Sequence, residues 1–322
     1  MKTHKVSIKE QGKRLDVYMM EIISDITRSK IQKLIKQERV LVSGKLAKPS
    51  YILKGDEDIN YELNQNDSKS TSLNQIIFEP MNIDILFEDD YILVVNKSSG
   101  IVVHPGAGNH SGTLLNGVIN KVKHVEFQST PGLVHRLDKE TTGVIIIAKD
   151  CKTHSFIAKQ FEERSVAKIY HALVWGTVNN SGTIEGNMIR NPRDRKSFIL
   201  TNGAGRYSKT DYLLINNIGP ISYIQLKPTT GRTHQIRVHM KSIGHPILSD
   251  SQYSGGKSMV KSFHIKYTNI LKRVMKNIDR VALHAKSIEI VHPKTRKKML
   301  FSSPIPNDIN EAIKILETSE HT

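Results

Sequence analysis

Two kinds of hydrophobic spacing divide the chain. After Thr27, the apolar residues Ile31, Leu34 and Ile35 recur at helical intervals, while Lys30, Lys33 and Lys36 fall on the opposite side. That spacing predicts an amphipathic helix with one packing face and one cationic face. Val40-Leu41-Val42-Ser43-Gly44-Lys45-Leu46 then reads as strand, tight turn and strand, Gly44 supplying the positive φ such a turn needs. Residues 14–62 thus form a small unit of two helices and a hairpin. Residues 64–75 are nearly free of apolar side chains and read as a flexible linker.

From Ile76 onward the pattern turns to strands, at 83–87, 91–95, 144–148, 169–174, 221–226 and 283–290, with Asp89-Asp90 as a hairpin turn between the first two. Helical spacing returns only at 114–123, 152–163, 233–242 and 309–318. So few helices between strands argue against a doubly wound parallel sheet. They point to an α+β domain with a mixed, largely antiparallel sheet. The division expected is a small domain at 1–63, a linker at 64–75, a larger domain at 76–305 and a C-terminal helix at 306–322. Residues 257–280 hold seven Lys or Arg against one acid, Asp279, and read as a basic insertion or extended loop serving RNA contact or solubility.

Composition narrows the partners. With 47 Lys plus Arg against 31 Asp plus Glu, the net charge is +16, an excess that attracts polyphosphate. The single cysteine, Cys151, excludes an internal disulfide and a Cys-x-x-Cys metal knuckle, so a reducing compartment is expected. No secretory signal and no 18-residue apolar run is present, which predicts a cytoplasmic protein, with an organelle matrix as the alternative.

The candidate chemistry sits in Gly132-Leu133-Val134-His135-Arg136-Leu137-Asp138-Lys139-Glu140-Thr141-Thr142-Gly143, just before the apolar run Val144-Ile145-Ile146-Ile147-Ala148. A β-branched run of that kind reads as a strand buried on both faces, which would mount Asp138 at the mouth of a rigid sheet. A second polar segment, Thr229-Thr230-Gly231-Arg232-Thr233-His234-Gln235-Ile236-Arg237-Val238-His239-Met240, suggests a helix capped by Thr233 and ended by Gly244, with an apolar stripe of Ile236, Met240 and Ile243. Alternation in Lys168-Ile169-Tyr170-His171-Ala172 puts Lys168, Tyr170 and Ala172 on one strand face. Rival chemistries fit less well. His234 and His239, five apart, share no face for a metal, and zinc deamination needs cysteines this chain lacks. Gly106-Ala107-Gly108-Asn109-His110-Ser111-Gly112 is one residue too long for a dinucleotide fingerprint. A two-carboxylate glycosidase would need Glu140 or Glu162 as its second acid, and no motif supports either.

His135-Arg136-Leu137-Asp138, followed by Thr142 and Gly143, resembles the catalytic motif of the RluA-type pseudouridine synthases. The segment 96–109 is similar to the branch that modifies large-subunit ribosomal RNA, and residues 14–62 resemble the RNA-binding domain named after small-subunit ribosomal protein four. Further matches are the Tyr170 strand, the Arg237 segment and Arg280-Val281-Ala282-Leu283-His284-Ala285 with His292-Pro293 beyond. The resemblance implies that Asp138 acts on the ribose, as nucleophile or as base, and that Arg237 pairs with it. On this reading a bidentate guanidinium fork holds the carboxylate. Tyr170 would stack on the target uracil and assist proton removal from ring carbon five, and Arg136 would fill the gap left by the flipped nucleotide. Arg28, Lys30, Lys33 and Lys36 would bind RNA. No cofactor or metal is implied, and the partner would be large-subunit ribosomal RNA, in pre-ribosomal particles, met by a monomer. The alternatives are the same reaction on transfer RNA, or a non-catalytic ribosome-assembly factor. The family generally has proline where Ser98 stands and glycine where Ser249 and Ser254 stand, so loop geometry is in question at those three positions.

Overall fold

The computed structural model describes residues 2–23, 26, 28–63, 76–106, 108–123 and 132–320, with the side chains of Arg28, Ser29, Ser319 and Glu320 left undescribed. The linker expected at 64–75 and Ala107 of the Gly-rich segment lie outside the described residues. The chain divides into two compact units, Met1–Ile76 and Ile77–Thr322.

In the first unit, helices α1 (Leu15–Ile22) and α2 (Arg28–Lys36) accompany a four-stranded sheet of β1 (Lys2–Lys5), β2 (Val40–Val42), β3 (Lys45–Leu46) and β4 (Asp58–Tyr61), in the order β1-β4-β2-β3. Ile31, Leu34 and Ile35 are buried, as their spacing predicts, while Lys33 and Lys36 are exposed and Lys30 is half-buried. Ser43 and Gly44 both take positive φ in the β2–β3 turn, the geometry of a tight two-residue hairpin.

The second unit is built on a ten-stranded sheet. Its strands are β5 (Asp84–Glu88), β6 (Ile92–Lys97), β7 (Thr142–Ala148), β8 (Ala167–Trp175), β9 (Ser181–Arg190), β10 (Phe198–Thr201), β11 (Arg206–Ile218), β12 (Ile221–Pro228), β13 (Leu283–Val291) and β14 (Lys298–Ser302). Their order is β10-β9-β11-β12-β8-β13-β7-β6-β5, with β14 pairing β13. Only β7 and β13 run parallel, so the sheet is mixed and largely antiparallel. Every residue of β7 is buried, as its unbroken apolar run predicts.

Among the described residues, five helices accompany this sheet: α3 (Leu114–Val118), α4 (Cys151–Glu162), α5 (Gln235–Ser242), α6 (Thr268–Asn277) and α7 (Asn307–Glu320). The segment 257–280 is not an extended loop. It folds into two 3-10 turns and α6, whose Ile270, Leu271, Val274 and Met275 join the main core with Ile309, Ala312 and Leu316 of α7. Counting seven cations hides the i, i+1, i+4, i+5 apolar stripe that packs this helix. Strands β9, β10 and β11 are also additional to the strands read from the sequence. Half-exposed and rich in polar residues, they give a weak apolar signal.

Candidate active site

β7 is paired to β6 along its length but to β13 only through Thr142 and Gly143, which leaves the rest of one edge open. The segment leading to Asp138 closes that edge. Gly132 O accepts from Ala148 N at 2.8 Å, and His135 Nε2 accepts from Ile146 N at 2.9 Å. His135 stacks on Phe161 and, through burial, titrates down at about 3, so it stays neutral and keeps Nε2 as an acceptor. Leu137 is buried, and Thr141 N closes a turn onto the Asp138 carbonyl at 3.1 Å. Asp138 therefore projects from a loop fastened along a core strand.

A second fastening comes from Lys97 at the end of β6. Its ammonium, 1% exposed, donates to the carbonyls of Ser98, Ile101 and Lys139 at 2.8, 2.9 and 3.0 Å. Burial pulls its pKa down to about 7, opposed by the charge of Asp138 and reinforced by that of Arg280. Ser98 itself is exposed. On the other side Arg280 forks onto Asp308 at 2.6 and 2.9 Å and donates to the Glu140, Val281 and Leu283 carbonyls. Glu140 accepts from Val281 N at 3.3 Å, and Glu162 is exposed on α4, so neither is placed as a partner acid to Asp138.

Arg237, on α5, does reach Asp138, but not with the expected fork. Its Nη1 donates to Asp138 Oδ2 at 3.3 Å, whereas Nε and Nη2 fork onto Asp250 at 2.7 and 2.9 Å and Nη2 also meets Gln252. Asp250 is fully buried, so a low-dielectric carboxylate claims the bidentate geometry and leaves one N–H for the half-exposed Asp138. Burial opposes the guanidinium charge, yet the hydrogen bonds and charge of Asp250 raise its pKa above the ordinary value. The Tyr253 ring lies 4.9 Å from the guanidinium carbon.

α5 begins one residue later than Thr233 predicts. His234 is the N-cap, at φ 57 and with no side-chain cap bond. Gln235 orders the approach instead, accepting from Arg232 N and Thr230 Oγ1 and donating to Lys209 O and Thr210 Oγ1. Left-handed backbone at His234 aims its ring at the site: Nδ1 lies 2.9 Å from Tyr253 Oη and Nε2 3.9 Å from Asp138 Oδ2. Gly244, at φ 83, ends the helix as expected.

Asp138 stands where two hollows meet. The larger, about 960 Å³, is lined by His104, Arg136, Asp138, Arg237 and Gln252 among others, and the smaller, about 90 Å³, by Asp138, Lys168, Tyr170, Gly231 and Arg237. Tyr170 is held between β12 and β13, opposite Leu226 and Ala285. Burial and the nearby charge of Asp138 push its phenol up, so it is a proton donor and an apolar face rather than a ready base. Lys168, with no hydrogen bond or ion pair among the described residues, is brought down to about 8 by burial. Arg136 is exposed, lines both hollows and has no carboxylate partner among the described residues.

Asp138, Arg136, Tyr170 and Arg237 thus converge. Lys30, Lys33 and Lys36 lie in the separate first unit, and the Arg28 side chain lies outside the described residues. Asp250, His234, Tyr253 and Lys97 were not legible as site residues, because what marks them is burial and a partner distant in sequence. Among the described residues, no group of three or more His, Cys, Asp or Glu is placed to hold a metal ion, and no helix is long and apolar enough to cross a membrane.

Comparison with known proteins identifies the family of both units. The family model described as RNA pseudouridylate synthase matches residues 91–242, and that of the S4 domain matches residues 13–59. The chain is 34% identical over 319 residues to ribosomal large subunit pseudouridine synthase D of Escherichia coli strain K12, covering 98% of this chain and 94% of that protein. It is 35% identical over 314 residues to an RNA pseudouridine synthase of Chlorobaculum parvum, covering 95% and 94%. The solved structure of human RNA Pseudouridylate Synthase Domain Containing 1 is similar with a TM-score of 0.53 and 26% identity, over 70% of this chain and 86% of that one. Human RNA Pseudouridylate Synthase Domain Containing 4, at 23% identity, shows the fold alone, with a TM-score of 0.57 over 72% and 92%.

Proposed function

This chain belongs to the RNA pseudouridylate synthase family, and we propose that it converts uridines of large-subunit ribosomal RNA to pseudouridine with Asp138 as the catalytic carboxylate. The observation that carries the assignment is the placement of Asp138: one carboxylate at the junction of two hollows, touched by an arginine whose charge is secured elsewhere.

Pseudouridine formation breaks the bond from ribose to ring nitrogen, turns the base in place and rejoins it through ring carbon five. No redox equivalent or phosphate is consumed. Attack on the anomeric carbon and removal of the 2′ proton both start from a carboxylate anion, which Arg237 favours. The reading is accordingly of an enzyme without cofactor or metal. Extrusion of the target exposes its glycosidic bond at a cost of a few kcal/mol. Unpartnered Arg136 is suited to the vacated place, since a planar guanidinium both stacks and binds phosphate. Tyr170 closes the small hollow as a face for the uracil ring. The S4 domain adds a basic helix for duplex or loop RNA, with Lys33 and Lys36 toward solvent. We place this monomer in the cytoplasm, acting on pre-ribosomal particles.

The test compares wild type with Asp138→Asn on large-subunit ribosomal RNA transcripts, using mass spectrometry of nucleosides and a binding measurement in parallel. Equal affinity with product only from wild type is expected. No product from either protein would favour an assembly factor, and product on transfer RNA alone would move the substrate.

A further inference from the structure

A third hollow, of about 350 Å³, opens far from Asp138 and is lined by Tyr91, Lys123, Lys152, Phe156, Lys294 and Arg296, together with Asp150, Thr153 and Pro293. The topology sets its distance from the active site. β6 ends at Lys97 beside the Asp138 loop and starts next to Tyr91, β7 leaves that loop and ends two residues before Asp150, and β13 starts three residues after Arg280 and ends before the turn bearing Lys294 and Arg296. The steps between successive residues of the seven-residue β7, roughly 3.3 Å each, separate the two places by about 20 Å.

The hollow is cationic without compensation. Among the described residues lining it, the only carboxylate, Asp150, is spent as the cap of α4, accepting from Thr153 N and Oγ1 at 2.8 and 3.0 Å. Neighbouring Glu88 is held by Lys121 and Lys149, and Asp89 by His292. Lys123, Lys152, Lys294 and Arg296 are exposed and have no ion-pair partner among the described residues. Among the described residues, no carboxylate balances the four cations that gather at this mouth.

The turn that carries two of them is rigidly built. Buried His292 accepts from Lys294 N and Thr295 N on Nδ1 and donates from Nε2 to Asp89 at 2.8 Å. Arg296 is held at φ 58, a left-handed backbone that an arginine adopts at a cost, and its guanidinium carbon lies 4.2 Å from the Phe156 ring centroid. A planar cation on an aromatic wall, ringed by lysines, is the composition that takes an RNA strand: a base or ribose face against the rings and phosphates on the cations.

We propose that this hollow is a further RNA-binding site on the catalytic unit, which grips a segment of the substrate strand flanking the modified uridine. It rests on the RNA-modifying reading of the Asp138 site and adds a ruler to it. RNA must extend roughly six stacked nucleotides, at about 3.4 Å each, to bridge the 20 Å between them.

The experiment uses the full chain and nested stem-loops of large-subunit ribosomal RNA, with affinities measured across salt for wild type and for Lys152→Ala/Lys294→Ala/Arg296→Gly. Wild-type affinity should step upward once the RNA passes that length. In the triple variant the step should vanish, long RNAs should bind about tenfold more weakly, and the log–log salt slope should shrink by about 2 for three lost single-strand phosphate contacts. Short RNAs should bind both proteins equally, and the melting temperature should hold or rise because glycine suits position 296. Undiminished binding of long RNA overturns the proposal, as does an equal loss on short RNA. Absence of pseudouridine from wild-type reactions would count against the Asp138 reading alone, because the length step is read by binding.

Discussion

Arg237 and Arg280 are both buried, both forked onto a carboxylate, and both reach the Asp138 loop, yet they do different work. Arg237 forks onto fully buried Asp250 and keeps one N–H for the Asp138 side chain, facing the large hollow. Arg280 forks onto Asp308, whose side chain is 29% exposed, and spends its remaining donor on backbone carbonyls, including that of Glu140. The first arrangement secures a charge and presents it to a reacting group. The second ties a loop, a strand and a helix together. Removing each arginine should separate these roles.

The largest effect should come from Arg237→Met. It strands Asp250 as an unpaired buried carboxylate, at about 3–5 kcal/mol of unfolding free energy. Arg280→Met should cost less, about 2 kcal/mol, because water reaches Asp308. Urea unfolding measures both. Adding Asp250→Leu to Arg237→Met should restore most of the stability and none of the pseudouridine formation, while the folded fraction of Arg280→Met should stay active within several-fold. If the stability-restored double variant regains turnover, Arg237 has no role toward Asp138.

Arg237→Lys sharpens the same contrast with charge held constant. An ammonium cannot satisfy two Asp250 oxygens and also hold Asp138, so turnover should fall about 100-fold, or roughly 2.7 kcal/mol in the barrier, with RNA affinity nearly unchanged. Full activity in the lysine variant would mean that a point charge near Asp138 is sufficient.

Smaller within any one pH unit, though not over the whole acid range, is an effect of pH on the Arg280 side. His284 bonds Thr142 at the start of β7 and Ser303, and it titrates at about 4, chiefly because burial disfavours its charge, with Arg280 and Lys286 adding to that. Between its ordinary value near 6.5 and about 4, the unfolded chain binds a proton that the folded chain refuses. Its contribution is therefore complete above pH 6.5 and is lost as pH falls through that window, on the order of 1 kcal/mol per pH unit. His284→Gln keeps a donor and an acceptor and should flatten the acid side of the stability profile by about one proton. An unchanged slope would show that His284 is already charged in the fold.

Which of these features could be read in advance depends on how local their cause is. Asp138, Tyr170, Arg136 and Arg237 lie in short motifs, and the strand mounting Asp138 announces itself as an unbroken β-branched run. Asp250 does not: its meaning comes from burial beside an arginine thirteen positions earlier, across the turn after α5. The same limit applies to α6, where charge count obscured a packing stripe, and to β9–β11, where polar half-exposed strands pair by register rather than by hydrophobic signal. His135 stood inside the motif, but its task, capping the open edge of β7, exists only once the sheet is assembled.

The loop that delivers Asp250 offers the finest test, because the family resemblance leads one to expect glycine at two of its positions and serine stands at both. Ser249 and Ser254 adopt φ 64 and φ 70, so the backbone keeps the left-handed geometry and the side chains bear its cost. That cost is about 1–2 kcal/mol for a non-glycine residue, while glycine loses roughly 0.4–1 kcal/mol through a more flexible unfolded chain. Ser254→Gly should therefore gain about 0.5 kcal/mol, a rise of one or two degrees in melting temperature for a domain of this size. Ser249 differs in donating from Oγ to Ile278 O at 2.6 Å, a bond whose loss costs on the order of 1 kcal/mol. Ser249→Gly should consequently be neutral or slightly destabilising. Equal shifts from the two substitutions would show that the hydroxyl contributes nothing and that backbone strain alone sets the stability of this loop.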